Sequence, residues 1–348
     1  MTTTLESQNK SRIVWIDCAK FLGFILVILG HVILIKGVWS DISRGIIYSF
    51  HMPFFFILSF MTMSLSKDFN NFLRKTKKRA IHLLIPFIIF LFIDVLFVIF
   101  YEHVQPNSFA FYKEYVIFKL LGLDGEGYII SGSAWFFIAL FVGQSLFDLL
   151  HLLLKDDFRL FCVSLLLTLI GVIIGQRGII LPFELDMVFS SFIFFYIGYK
   201  LRIFNFNKYL SLGFVVSLLV FVGTFCLIYF SENSGYAYYE IWARRYPLFP
   251  ISYICALSGS LTMMYLCVII CKIKNLGKFL GFFAKFNVYF IIVHSIHQKH
   301  FMYNEAIFPK MDYYLRNLIF CLIGAFICFL LIVMVKELKK VAKKQKNA

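Results

Sequence analysis

The segment WIDCAKFLGFILVILGHVILIKG, residues 15–37, decides what kind of protein this is. It is long and apolar enough to cross a lipid bilayer as a helix, which takes about 20 residues. It nevertheless contains Asp17, Lys20 and His31, and ionisable side chains within a membrane are costly enough to indicate a functional site. Lys20 and His31 lie on nearly the same helical face, about 16 Å apart along the axis. Asp17 precedes Lys20 by one turn, where the two can pair.

The composition extends this interpretation to the whole chain. Of its 348 residues, 61% are hydrophobic and 15% are charged, which is typical of a multi-pass helical membrane protein. A cytoplasmic tail (1–13) should precede a membrane domain (14–335), with a basic cytoplasmic tail (336–348) after it. Hydropathy predicts an all-α bundle with about ten transmembrane helices, at 14–35, 46–65, 81–101, 133–154, 158–175, 184–203, 209–230, 247–271, 280–298 and 315–335.

The net charge of +15 follows from membrane topology and gives no reason to expect nucleic acid as a partner. With ten spans, 22 lysines and arginines fall in the tails and loops on one side and 10 on the other. Because cytoplasmic loops carry the excess of Lys and Arg, we predict that both termini are cytoplasmic. The lipid bilayer of the plasma membrane is the expected location.

Two further histidines are predicted near the depth of His31. His51 opens the second span at its outer end, and the short connection makes the first two helices antiparallel neighbours. His294 lies in the outer half of the ninth span. It begins a His294-x2-His297-x2-His300 series, but the third position is well off the face of the first, so we expect no metal ion.

The predicted outer loop 231–246 is rich in tyrosine and ends in Arg244 and Arg245. Aromatic rings with paired arginines suit a sugar or an anionic polymer. They equally suit an ordinary belt of side chains at the membrane interface. Both interpretations remain open at this point.

Together these segments resemble the integral-membrane acyltransferase family 3, which contains polysaccharide O-acetylases and fucose-4-O-acetylase-like proteins. The resemblance covers nearly the whole chain, and five motifs in order carry it. They are Asp17 with Lys20-x10-His31; Phe50-His51-Met52-Pro53-Phe54-Phe55 with Ser59; Lys78-Arg79 leading to Leu84-Ile85-Pro86; Ser133-Ala134-Trp135-Phe136-Phe137-x-Ala139-Leu140-Phe141; and Tyr289-x4-His294.

The resemblance implies an enzyme, an O-acetyltransferase with an acyl-CoA donor on the cytoplasmic side and an acceptor glycan at or beyond the outer face. His31 corresponds to the essential histidine of the family. An imidazole suits the removal of a proton from a hydroxyl near neutral pH, and we therefore expect the base to be His31. The alternative role for His31 is that of a transient acyl carrier. His51 would orient it or stabilise the oxyanion. Lys20, with Asp17 and Arg79, would hold acetyl-CoA.

The acceptor is expected to be a cell-surface or exported glycan or a lipid-linked sugar, with polysaccharide-synthesis machinery as a partner. We expect Trp135, His294, Arg244 and Arg245 to contact it. The alternative is a transporter or flippase of lipid-linked sugars or polysaccharide, or a non-catalytic component of an export complex. Dependence on a coenzyme separates the two classes.

Overall fold

The computed structural model describes residues 13–33, 38–100, 135–231 and 238–300, with isolated helical positions at 117, 120–121 and between 315 and 334. Within these ranges the chain is a bundle of helices joined by turns. Two short 3-10 turns, Pro182–Glu184 and Ala284–Phe286, interrupt it. The helices are α1 Val14–Val32, α2 Val38–Tyr48, α3 His51–Thr62, α4 Phe69–Phe100, α5 Trp135–Leu154, α6 Asp157–Gln176, α7 Leu185–Ser190, α8 Phe192–Leu201, α9 Leu210–Ser231, α10 Ile251–Ile270, α11 Leu276–Phe283 and α12 Asn287–His300.

The all-α, multi-pass architecture is confirmed, but the number of ten spans is not. Among the described residues, seven helical segments are long and apolar enough to cross a membrane. An eighth is added if Leu276–Phe286 and Tyr289–Ile296, which are bent by 66° relative to each other, form one broken span. The predicted tenth span at 315–335 lies largely outside the described residues.

Helix α3 lies at the centre of the bundle. It packs against α1, α8 and α10, and 78% of the apolar window of α2 and α3 is buried, compared with 22% for α4. Its sequence is almost entirely large and apolar, so it has no polar face to present to water. Phenylalanine rings fill the spaces around it, and Phe60 stacks on Phe195 with 4.2 Å between ring centroids.

Two short helices, α7 and α8, occupy the predicted span 184–203 and are interrupted at Ser191, and a sharp turn precedes them. Phe183 and Glu184 adopt left-handed backbone angles (φ 59° and 57°), which L-residues rarely occupy, and the chain turns sharply there before α7 begins. Neither residue is a glycine, and hydropathy alone gave no sign of this turn or of the interruption at Ser191. Buried ionic contacts of Glu184 and Asp186, described below, hold the turn.

Helix α4 begins twelve residues before the start of the predicted span 81–101. The Asp68 side chain accepts a hydrogen bond from the Asn71 backbone N–H (2.8 Å) and so caps its first turn. Lysine and arginine are good helix formers, so the basic cluster at 74–79 continues the helix. These cations therefore lie on a helix that packs against α5.

Gly171 provides a direct test of this packing, because α6 and α7 are in close contact at this residue. A Cβ at Gly171 would lie 2.1 Å from the backbone nitrogen of Ser190, whereas a Cβ at Gly223 in α9 would meet nothing within 4 Å. We expect Gly171→Ala to lower the melting temperature in detergent, with a cost of about 1–3 kcal/mol or more from overpacking. Gly223→Ala should leave it unchanged or raise it slightly. Equal melting temperatures for the two variants would contradict the α6–α7 contact.

Candidate active site

Three histidines and a tyrosine meet at one end of α1. His31 and His294 have ring centroids 5.3 Å apart. His31 Nδ1 lies 3.0 Å from the hydroxyl of Tyr48, and the Tyr48 ring is 4.9 Å from that of His51. His51 and His294 are buried, at 5% and 2% exposure. The structure thus brings together the three histidines that the sequence placed near one depth.

Tyr48 is the central residue of this cluster, and sequence reasoning missed it. Its ring contacts both His31 and His51, and Arg44 donates a hydrogen bond to its hydroxyl (3.4 Å) with the guanidinium carbon 4.7 Å from the ring centroid. Gly30 permits this arrangement, because a Cβ there would lie 2.9 Å from Tyr48 Cε2. The spacing Arg44-x3-Tyr48-x2-His51 was the available signal, but the predicted span began at residue 46 and left Arg44 in a loop.

The described part of the segment between α9 and α10, which begins at Tyr238, lies against the cluster. Tyr238 is buried with its ring 5.5 Å from that of Tyr48, and burial raises the pKa of its phenol to about 12. Like any tyrosine at neutral pH, its hydroxyl is protonated and can donate a hydrogen bond. A single β-bridge between Glu240 and Arg245 closes the turn, and the two side chains form an ion pair of 3.6 Å.

Arg244 is held by carboxylates of the protein. It is 8% exposed, its Nε donates to Asp186 Oδ2 (2.7 Å), and Nη2 lies 4.0 Å from Glu184 Oε2. Nη1 donates to the Trp242 carbonyl (2.9 Å). Arg245, by contrast, is 29% exposed. Of the two arginines expected to contact the acceptor, Arg245 is therefore the one with accessible surface.

Three cations converge where α3 ends. Lys20 Nζ donates to Thr62 Oγ1 (3.4 Å), Arg79 Nη2 donates to the Ser64 carbonyl (3.2 Å), and Lys75 Nζ donates to the Leu65 carbonyl. The sequence assigned Lys20 and Arg79 to one donor site, and in the structure their hydrogen-bond partners, Thr62 and Ser64, are two residues apart.

Arg79 is also tied to the bundle. Its guanidinium pairs with the fully buried Asp148 of α5 (2.7 Å), whose carboxylate also accepts hydrogen bonds from the backbone N–H and hydroxyl of Ser66, each at 2.7 Å. Because the side chain of Arg79 is 10% exposed, only a small part of its surface can reach a ligand. Lys20 and Lys75 are half-buried.

The two remaining predicted site residues are Asp17 and Trp135. Asp17 is on α1 where α11 crosses it, and a Cβ at Gly281 would lie 3.2 Å from the Asp17 Cβ. Trp135 is buried at the start of α5, with its ring against Phe136. In the part of the chain that the structure describes, no three His, Cys, Asp or Glu side chains are arranged to hold a metal ion.

Fold and site together define a multi-pass membrane protein with a buried His–Tyr cluster at one end of its first helix and a cluster of cations at the other. The family model described as an acyltransferase domain matches residues 13–336. This match covers nearly the whole chain, and the protein belongs to the acyltransferase family 3 of membrane proteins. No curated protein and no solved structure matches the chain.

Substitution of two adjacent arginines, one at a time, tests whether the ion pairs of Arg244 stabilise the fold. Arg244→Ala would leave Glu184 and Asp186 as buried carboxylates without their cation, and breaking such a buried pair typically costs about 3–5 kcal/mol. We expect a large fall in the melting temperature in detergent. Arg245→Ala removes a partly exposed pair and should cost about 1 kcal/mol or less. If Arg244→Ala is as stable as wild type, the ion pairs with Asp186 and Glu184 do not hold the turn before α7.

Proposed function

We propose that this membrane acyltransferase moves an acetyl group from acetyl-CoA on the cytoplasmic side to a hydroxyl of a cell-surface or exported glycan or a lipid-linked sugar. The observation that supports it most directly is the cluster of His31, Tyr48, His51 and His294 inside an acyltransferase-family bundle. Burying so many polar side chains within a membrane domain is energetically costly, and such a cluster therefore indicates a functional site.

The chemistry of O-acylation matches the cluster. A hydroxyl is a poor nucleophile at neutral pH, so a positioned base must remove its proton as it attacks the thioester carbonyl. A hydrogen-bond donor must meet the oxyanion that develops on that carbonyl. His31 and His51 supply one base and one donor between them. Burial within the bundle also keeps out water, which would otherwise hydrolyse the thioester.

The donor end of the site is proposed at the cation cluster of Lys20, Lys75 and Arg79. Coenzyme A carries phosphates, which bind most strongly to charge-assisted donors. Lys20 and His31 are on the same helix, about 16 Å apart along its axis. A coenzyme whose phosphates bind near Lys20 could therefore extend its thioester along α1 toward the histidines. The helix would then fix the separation between the phosphate site and the site of the thioester.

The acceptor end is proposed at the outer side of the histidine cluster, under the segment after α9. Tyr238 lies directly on Tyr48, and Arg245 is partly exposed beside it, so an aromatic ring and a cation are available to a glycan. His294, in ring contact with His31, and Trp135 complete the proposed acceptor contacts. Plasma-membrane location and supply of the acceptor by polysaccharide-synthesis machinery belong to the same proposal.

The decisive assay uses purified protein in lipid nanodiscs with acetyl-CoA labelled in the acetyl group and a set of candidate glycans. We expect release of free coenzyme together with labelled glycan. His31→Ala and His51→Ala should each reduce turnover by roughly 10²–10⁴-fold, as the loss of a general acid–base or an oxyanion donor does. His82→Gln, on the exposed face of α4, is the matched control and should keep full activity.

An opposite result would favour the other class of function. If acetyl-CoA remains intact in every condition while a lipid-linked sugar moves across vesicles that contain the protein, the protein is a flippase. If both histidine variants keep full acetylation activity, the reaction does not take place at the histidine cluster.

The cation cluster makes a separate prediction about the donor. Lys20→Ala should raise the KM for acetyl-CoA by about 10- to 100-fold, since a charged hydrogen bond contributes roughly 1.5–3 kcal/mol, and Lys20→Arg should recover part of that loss. Lys200→Ala, which breaks an exposed ion pair with Asp157, is the matched control and should leave the KM unchanged. If Lys20→Ala binds the coenzyme with unaltered affinity, Lys20 is not part of the donor site.

A further inference from the structure

The surroundings of His51 fix which of its ring nitrogens carries the hydrogen. Nδ1 lies 3.0 Å from the backbone carbonyl oxygen of Ile47, one turn earlier in the chain. A carbonyl oxygen can only accept a hydrogen bond, so Nδ1 must be the protonated nitrogen. In the neutral ring, Nε2 then carries a lone pair. His51 is therefore set up to take a proton through Nε2.

The surroundings of His31 favour the opposite tautomer. Its Nδ1 lies 3.0 Å from Tyr48 Oη, which also accepts a hydrogen bond from Arg44. A guanidinium can only donate, and a hydroxyl that accepts such a bond becomes a stronger donor itself. The phenol oxygen has room for a second donor, but the guanidinium polarises the hydroxyl and so favours donation of its own hydrogen to the adjacent nitrogen lone pair. The Tyr48 hydroxyl thus donates to Nδ1, and the hydrogen of the neutral His31 ring is on Nε2.

We propose that His51 is the general base and that His31 is the oxyanion donor, with Tyr48 and Arg44 as the residues that position His31. This inference rests on the proposed acyl transfer and reverses the roles that the position of His31 in the first span suggests. Tyr48 contacts both rings, so the two nitrogens that act on substrate are fixed relative to each other by one side chain.

The reaction step then balances as follows. His51 Nε2 takes the proton of the acceptor hydroxyl while that oxygen forms a bond to the thioester carbon. The negative charge that develops on the carbonyl oxygen is met by the Nε2–H of His31. When the carbonyl re-forms, the carbon–sulfur bond breaks, and the departing coenzyme thiolate takes the proton from His51. The products are an acetyl ester and free coenzyme A.

Glutamine variants separate the two roles by kinetics. A glutamine amide can donate a hydrogen bond but cannot accept a proton near neutral pH. His31→Gln should therefore keep about a tenth of wild-type kcat, whereas His31→Ala should lose about 10²–10³-fold, as on removal of an oxyanion donor. His51→Gln should be as inactive as His51→Ala, with a loss of about 10²–10⁴-fold. The reverse ranking, with His51→Gln active and His31→Gln inactive, would overturn the assignment.

The tautomers can be measured without any reaction. In protein labelled with ¹⁵N-histidine, spectra of the His31→Gln and His51→Gln variants assign the two rings by the signals that disappear. We expect the hydrogen on Nδ1 in His51 and on Nε2 in His31. Tyr48→Phe should change the His31 signals and leave His51 unchanged, and Tyr238→Phe, which keeps the Tyr48 hydroxyl, should change neither tautomer.

These two experiments distinguish failure of the inference from failure of the proposed function. If coenzyme is consumed but His31 carries its hydrogen on Nδ1, the roles proposed here are wrong and the acyltransfer stands. If the tautomers are as expected but no acetyl group leaves acetyl-CoA, the proposed function fails and only the positioning by Tyr48 and Arg44 survives. Should Tyr48→Phe lose kcat without any change in the His31 signals, Tyr48 does not act through His31.

Discussion

Polar side chains buried between membrane helices must find their hydrogen-bond partners within the protein, because lipid tails offer none. This constraint explains three connections in the bundle. Asp148 joins the turn after α3 to Arg79 of α4, Asp186 joins α7 to Arg244, and Tyr48 joins α2 to His31 of α1. The first two are ion pairs between protein groups. The third is made of groups that can also exchange protons.

This difference distinguishes the buried polar residues that hold the fold from those that could take part in a reaction. A buried ion pair holds its charges in a fixed arrangement, and breaking it is costly. Histidine and tyrosine side chains can each donate or accept a hydrogen bond. A cluster of them can therefore change its protonation state with little movement of the side chains. The helix α1 connects this cluster with Lys20 at its other end. One helix thus holds the proposed phosphate-binding cation and the proposed reacting groups at a fixed separation, which would suit a long donor such as a coenzyme thioester.

Much of the fold and of the candidate site could be predicted from the sequence, and physical reasons explain both the correct predictions and the missed features. Long apolar runs and inward-pointing histidines are local signals, so the helices and the proximity of His31, His51 and His294 were predictable. The left-handed turn at Glu184 was not, because no glycine marks it and its ion pair with Arg244 joins residues 60 apart in sequence. Tyr48 was missed because a tyrosine near a membrane interface has an ordinary explanation, and only its contacts reveal its position.

The central claim is that acyl transfer takes place at the His31–Tyr48–His51 cluster. The most direct measurement is a structure of the protein in lipid with a non-hydrolysable thioether analogue of acetyl-CoA. We predict that the phosphates of the analogue contact Lys20 and that its acyl carbonyl lies within hydrogen-bond distance of His31 Nε2, close to His51. An acyl group found away from both histidines, for example in the apolar cavity of about 390 Å³ between α4 and α5, would contradict the account.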